Sequence, residues 1–170
     1  MHHDLPTSNS QRDVLYGQAL NWVSWDPNGV VTASVSSMLE GLDWSRLCGP
    51  TPVLPRLLPL EELGDLPEVV SGQQVGLALW VHRDPNELSP LIHSISLLRA
   101  RAAEVYRVAY LQPELAGQAS IFVEAGAQVV VTRLPSLQRV LPRIIALAPR
   151  SASGFHPLVA GLLERLPWSD

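Results

Sequence analysis

A few clusters in the chain carry side chains that could do chemistry. His82-Arg83-Asp84 sets an imidazole two residues from a carboxylate, a pair that could serve as acid and base in a small hydrolase. Ser34, Ser36 and Ser37 lie around an expected helix start, and Arg133 follows an apolar run; together they could hold an anion. His2 and His3 beside Asp4 could chelate a metal ion. Each has a plainer reading: a solvated loop for the first, helix capping for the second, a floppy chain start for the third. His93 and His156 fall in or near expected helices and read as structural.

Several chemistries are excluded. All 12 basic residues are arginine. Without lysine there is no Schiff base, no P-loop phosphate lysine and no kinase strand lysine. His-Arg-Asp occurs in kinase catalytic loops, but without that lysine, in only 170 residues, it carries no such function. GxSxG, GxGxxG, CxxC and HExxH are absent. The one cysteine, Cys48, can form no disulfide within the chain; it reads as a small core residue in a reducing compartment. The net charge of −4, with no arginine stripe interleaved with aromatics, argues against nucleic acid. No run reaches the ~18 apolar residues of a membrane span, and the start lacks a signal peptide's pattern. The expectation is a soluble cytoplasmic protein that binds neither membrane nor nucleic acid, with no cofactor and no metal.

The elements that must position these residues follow from periodicity. Residues 1–12 read as a flexible N-terminus and 13–170 as one domain, as the length suggests. Asp13–Trp25 is open: Leu15, Ala19, Trp22 and Val23 fit a helical face, whereas Trp22, Val23 and Trp25 fit a strand ending at the Asp26-Pro27-Asn28-Gly29 turn. The reading leans to a helix preceding the main fold. Val30–Val35 reads as the first strand, with Ser36 capping a helix to Leu47 that Cys48-Gly49-Pro50 ends. The prolines of 51–59 allow Val53–Leu58 only an edge position. Leu60–Val70 reads as a short helix broken at Pro67. Val75–Val81, apolar throughout, reads as a strand buried on both faces. A helix follows, capped by Ser89 and reaching Glu104 with Arg99 and Arg101 near its end. Strand 106–111, helix 114–125 closed by a left-handed Gly126, strand 128–132 and helix 137–147 capped by Ser136 and kinked at Pro142 come next. His156–Leu166 reads as an added terminal helix. Strands alternating with amphipathic helices predict a three-layer, doubly wound α/β fold with five parallel strands, flavodoxin-like, with additions at both ends.

Residues 75–147 resemble the receiver domain of response regulators. The motifs are VGLALWVHRDP, a buried strand running into a proline-bearing loop, and the stretch from Val123-Glu124-Ala125-Gly126-Ala127 through a VVV strand to Thr132-Arg133-Leu134-Pro135-Ser136. The resemblance implies a phosphorylated aspartate at the end of the third strand; that place falls on Val81, with Asp84 nearby in the loop. It implies paired acids after the first strand to hold magnesium; the place reads Thr32 to Ser37, with no carboxylate. Its hydroxyl residue falls near Leu111 or Gln112 and its lysine on Arg133. The chain therefore reads as a degenerate pseudo-receiver, without the groups that support phosphoryl transfer.

The leading functional reading is a non-catalytic signalling or regulatory module acting by protein–protein contact. A protein partner or second copy would meet the 114–147 face by which receivers commonly pair, with Arg139 and Arg143 on its rim. The alternative is a small enzyme or ligand- or anion-binding protein using the cleft at the C-terminal ends of the strands. A third reading is a structural subunit whose partner covers Trp22, Trp25 and residues 50–59.

Overall fold

A computed structural model describes residues 21–44, 46, 55–72 and 75–147. The expectations for residues 1–20, Cys48 and its helix end, residues 51–54, His156 and the terminal helix lie outside these residues. Five strands form one sheet: β1 (Asn21–Trp25), β2 (Arg56–Pro59), β3 (Val75–His82), β4 (Tyr106–Leu111) and β5 (Val129–Val131). All pairs are parallel, in the order β2-β1-β3-β4-β5. Among the described residues the helices α1 (Val30–Glu40), α2 (Leu66–Gly72), α3 (Leu88–Arg101), α4 (Ala119–Ala125) and α5 (Leu134–Leu147) accompany them. This is the doubly wound, flavodoxin-like α/β fold expected from the alternation of elements.

The central strand sets the layering. All eight residues of β3 are buried. Ala78 and Trp80 pack with Leu66 of α2, Leu91, Ile95 and Leu98 of α3 and Phe122 of α4. Leu77, Leu79 and Val81 pack with Val31, Val35 and Leu39 of α1 and with Leu137, Leu141 and Ile144 of α5. Successive side chains point to opposite faces of a strand, so an unbroken apolar run supplies two cores at once. β2 lies at the sheet edge, and its Pro59 pairs with Ser24.

The first strand is where the structure departs from the pattern. Val30–Val35 is not a strand; it is the first half of α1, and Asn21–Trp25 is β1, not a helix. Val31, Val35 and Leu39 are buried at a four-residue spacing, while Val30 is 55% exposed. β-branched composition suggested a strand, but the stripe is helical, and tertiary context outweighs propensity. Gly29, at φ 66°, closes the turn ahead of α1. Ser36 consequently lies inside α1 rather than capping it.

Smaller differences lie at helix ends. α3 begins at Leu88 after a 3-10 turn, Pro85–Glu87, capped by Asp84 rather than Ser89, and it ends at Arg101 rather than Glu104. The 114–125 segment is a 3-10 stretch, Pro113–Gln118, running into α4. α5 starts two residues ahead of Ser136 and continues through Pro142. Among the described residues no helix is long and apolar enough to cross a membrane.

Gly126 closes α4 as expected, at φ 119°. Its N–H reaches the carbonyls of Phe122 and Val123, and Ala127 N–H donates to Phe122 at 2.9 Å. A Cβ at position 126 would meet Arg99 Cδ at 2.6 Å. Gly126→Ala therefore combines backbone strain with a clash and should cost about 1–3 kcal/mol in urea denaturation; an unchanged midpoint would contradict that account.

Candidate functional site

In an open parallel sheet of this order, ligands bind outside the C-terminal ends of the strands, where the order reverses between β1 and β3. Asp26 follows β1 and Arg83 follows β3, and the two meet at this point. Arg83 Nε lies 3.7 Å from Asp26 Oδ1, an ion pair beyond hydrogen-bond reach. The Asp26 side chain is 0% exposed and that of Arg83 21%. The other carboxylate oxygen, Oδ2, accepts the backbone N–H groups of Val31 at 2.8 Å and Thr32 at 3.0 Å. Asp26 thus does from the turn what an N-cap side chain does, holding two of the free amides at the start of α1. Its negative charge also faces the positive end of that helix. Thr32 Oγ1 donates to Ser24 Oγ at 3.1 Å, tying the same helix end to β1.

His82, the last residue of β3, is buried on the opposite face. Its Nε2 lies 2.7 Å from Gln118 Oε1, and as that oxygen only accepts, Nε2 donates. The ring sits 5.2 Å from the Phe122 ring. Among the described residues the buried Nδ1 has no hydrogen-bond partner, nor do Asp26 Oδ1 and Arg83 Nε. Gln112 N–H donates to the His82 carbonyl at 3.0 Å, joining the ends of β3 and β4.

The residues singled out in the sequence fall in different places. Ser34, Ser36 and Ser37 do not lie at a strand end, because the strand assigned before them is helix α1. At 1.5 Å per residue, Ser36 sits roughly 9 Å along the helix from Val30. Ser34 Oγ turns back to the Val30 carbonyl at 2.8 Å. Arg133 is exposed, and its carbonyl accepts the N–H groups of Ser136 and Leu137 at the start of α5. Val81 and Leu111 are fully buried core residues. Asp84 is exposed and accepts both the backbone N–H and the side-chain amide of Asn86 at 2.9 Å.

One expectation is corrected outright. The place after the first strand does hold a carboxylate, because β1 ends at Trp25 and Asp26 follows it. In the sequence Asp26 reads as the first residue of the Asp26-Pro27-Asn28-Gly29 turn. The signal that could have found it is its position directly after an aromatic, apolar run, ahead of a helical stripe. Arg83 was visible in the loop after β3, and Gln118 carried no signal. Among the described residues no three or more of His, Cys, Asp and Glu come together as metal ligands.

No protein-family model matches the sequence, and no curated protein matches it. Solved structures do. A response regulator from Thermotoga maritima superposes with a TM-score of 0.59 at 13% identity, over 76% of this chain and 99% of that one. A CheY-like protein, TadZ, from Pseudomonas aeruginosa gives 0.55 at 14% identity, over 78% and 98%. An orphan response regulator of H. pylori gives 0.55 at 10%, over 76% and 98%. The chain has the fold of a response-regulator receiver domain. At these identities the likeness speaks for the fold alone.

Removing the Asp26 carboxylate should be costly. Asp26→Ala deletes two hydrogen bonds to α1 and leaves Arg83 without its counter-charge, so a loss of about 2–4 kcal/mol is expected in urea denaturation. Asp26→Asn keeps an acceptor for the amides and should recover part of that loss. An Asp26→Ala protein as stable as the parent would remove the carboxylate from this role.

Proposed function

We propose that the protein is a receiver-like regulatory module that acts by protein–protein contact and is not phosphorylated on aspartate. The observation that carries this reading is the state of the strand ends. β3 closes with Val81 and His82, both buried and neither a carboxylate. The nearest acid on that loop, Asp84, is spent on the turn before α3. The acid after β1 is engaged with two helix amides and faces a guanidinium rather than open solvent. Arg83 supplies positive charge beside Asp26, the acid that follows β1, and a divalent cation beside it would be repelled. With no lysine in the chain, no ammonium is present to stabilise a transferred phosphoryl group.

The contact surface in this reading is the 114–147 face. Val123 on α4 is 57% exposed, and Ile121 beside it is also exposed. Among the described residues β5 is an edge of the sheet, and it is only three residues long. Arg139 and Arg143 are exposed on α5 one helical turn apart, ahead of an exposed Leu147. Apolar side chains bordered by arginine are the composition of a protein interface. The occupant is a protein partner or a second copy, in a cytoplasmic setting. The enzymatic alternative loses support because Asp26 is held by the amides of α1 and His82 by Gln118, both buried away from the strand-end cleft.

Beryllofluoride with magnesium should leave the amide NMR spectrum unchanged. Shifts gathered around Asp26, Val81, Asp84 and Arg133 would overturn the claim that phosphorylation is lost. For the interface, light scattering should show self-association that weakens about tenfold when Arg139 and Arg143 are both changed to Glu, as placing like or unpaired charges in an interface does. A protein monomeric at high concentration, whose 114–147 face also meets no partner in cross-linking, would leave the contact reading without support.

A further inference from the structure

Away from the strand ends, the structure holds a cavity of about 330 Å³ between α2, the turn before it and α3. α2 is only seven residues long, and among the described residues part of the outward face of α3 is left uncovered. On the α2 side the cavity is bounded by Leu63, Gly64, Leu66, Pro67 and Val70. On α3, His93, Leu97 and Arg101 line it at successive helical turns, above the buried Leu98. The volume is at the small end of the range for sites that take small organic ligands, and an apolar lining with few polar groups is their usual makeup.

Two polar features give the cavity a chemical preference. Among the described residues none that line it is acidic, although the chain carries a net charge of −4. Arg101 is exposed and forms no ion pair among the described residues. The other feature is Ser94, buried in the cavity wall. Ser34 and Ser71 donate their hydroxyls to the carbonyl four residues earlier. Ser94 instead accepts the Trp80 indole N–H at 3.1 Å and gives its own proton to no group among the described residues. The cavity therefore reaches the central strand through one hydrogen bond, with a hydroxyl proton to spare.

We propose that this cavity binds a small amphipathic monoanion, an apolar chain or ring carrying one carboxylate. The apolar body lies against Leu66, Val70, Leu97 and Leu98, and the carboxylate pairs with Arg101. Binding is sensed at β3 through Ser94 and Trp80. The site is separate from the strand ends and from the 114–147 face, so it stands or falls independently of the function proposed above.

The test is an NMR titration of the full chain with octanoate, with octan-1-ol as the neutral control. Octanoate should shift the amides of Leu66, Val70, Leu97 and Leu98 together with the Trp80 indole N–H. Affinity should fall about fivefold in Arg101→Gln and by a similar factor for octan-1-ol, the size of one exposed ion pair. Gly64→Leu provides a second variant. Gly64 has no left-handed φ, and a Cβ there meets nothing within 4 Å, so leucine can enter the cavity without backbone strain. A folded Gly64→Leu protein should lose the octanoate shifts. Equal binding of octan-1-ol, or an unchanged Arg101→Gln, would overturn the anion assignment. Absent shifts, or shifts confined to other surfaces, would overturn the site.

Discussion

A strand buried on both faces cannot stand alone, because each of its sides exposes apolar surface that only another layer can remove from water. β3 is such a strand, with all eight residues from Val75 to His82 buried. Its neighbours β1 and β4 satisfy its backbone, and the helices on either side take up its side chains. Parallel pairing follows, since each strand must return by a helical crossover to run the same way. The crossovers deliver every strand's C-terminal end to one edge of the sheet. That edge collects Asp26, His82, Arg83 and Gln112 from separate parts of the chain.

At that edge the same residues that could support a reaction also stabilise the fold. Asp26 orders the start of α1 through two amides and lies against Arg83. A buried carboxylate committed in this way is costly to displace, because each departure strands a charge or an amide. His82 is similarly held by Gln118 and packed on Phe122. At the opposite pole Arg107 is purely a brace. It donates to the carbonyls of Ala103, Val105 and Gly126, and burial lowers its pKa, with the nearby charge of Arg99 adding to the shift and Glu104 opposing it. The cavity beside α3 is different, since Arg101 on its lining is exposed and forms no ion pair among the described residues.

Much of this was legible from residue patterns. The apolar run at 75–81, the stripes of α3 and α5, the left-handed Gly126 and the edge position near Pro59 are local signals, and each has its expected place. The first strand misled. Val30, Val31 and Val35 have the branched side chains of a strand, yet their burial is helical. Asn21–Trp25 is too short for periodicity to separate strand from helix, so its assignment rests on pairing with β2 and β3. Displacing that one strand moved Ser34, Ser36 and Ser37 to a site they do not occupy and hid Asp26.

The sequence by itself determined the fold class, because alternating short apolar runs and amphipathic stripes admit few other layered solutions. It also determined that no lysine of this chain can take part in a reaction, since none occurs in it. Only the tertiary structure decided that Asp26 and Arg83 meet, that His82 turns inward to Gln118, and that a cavity lies beside Arg101. The reason is range. Periodicity reports how a segment meets one neighbouring layer, whereas a site is assembled by strand order and loop placement, which depend on contacts between distant parts of the chain.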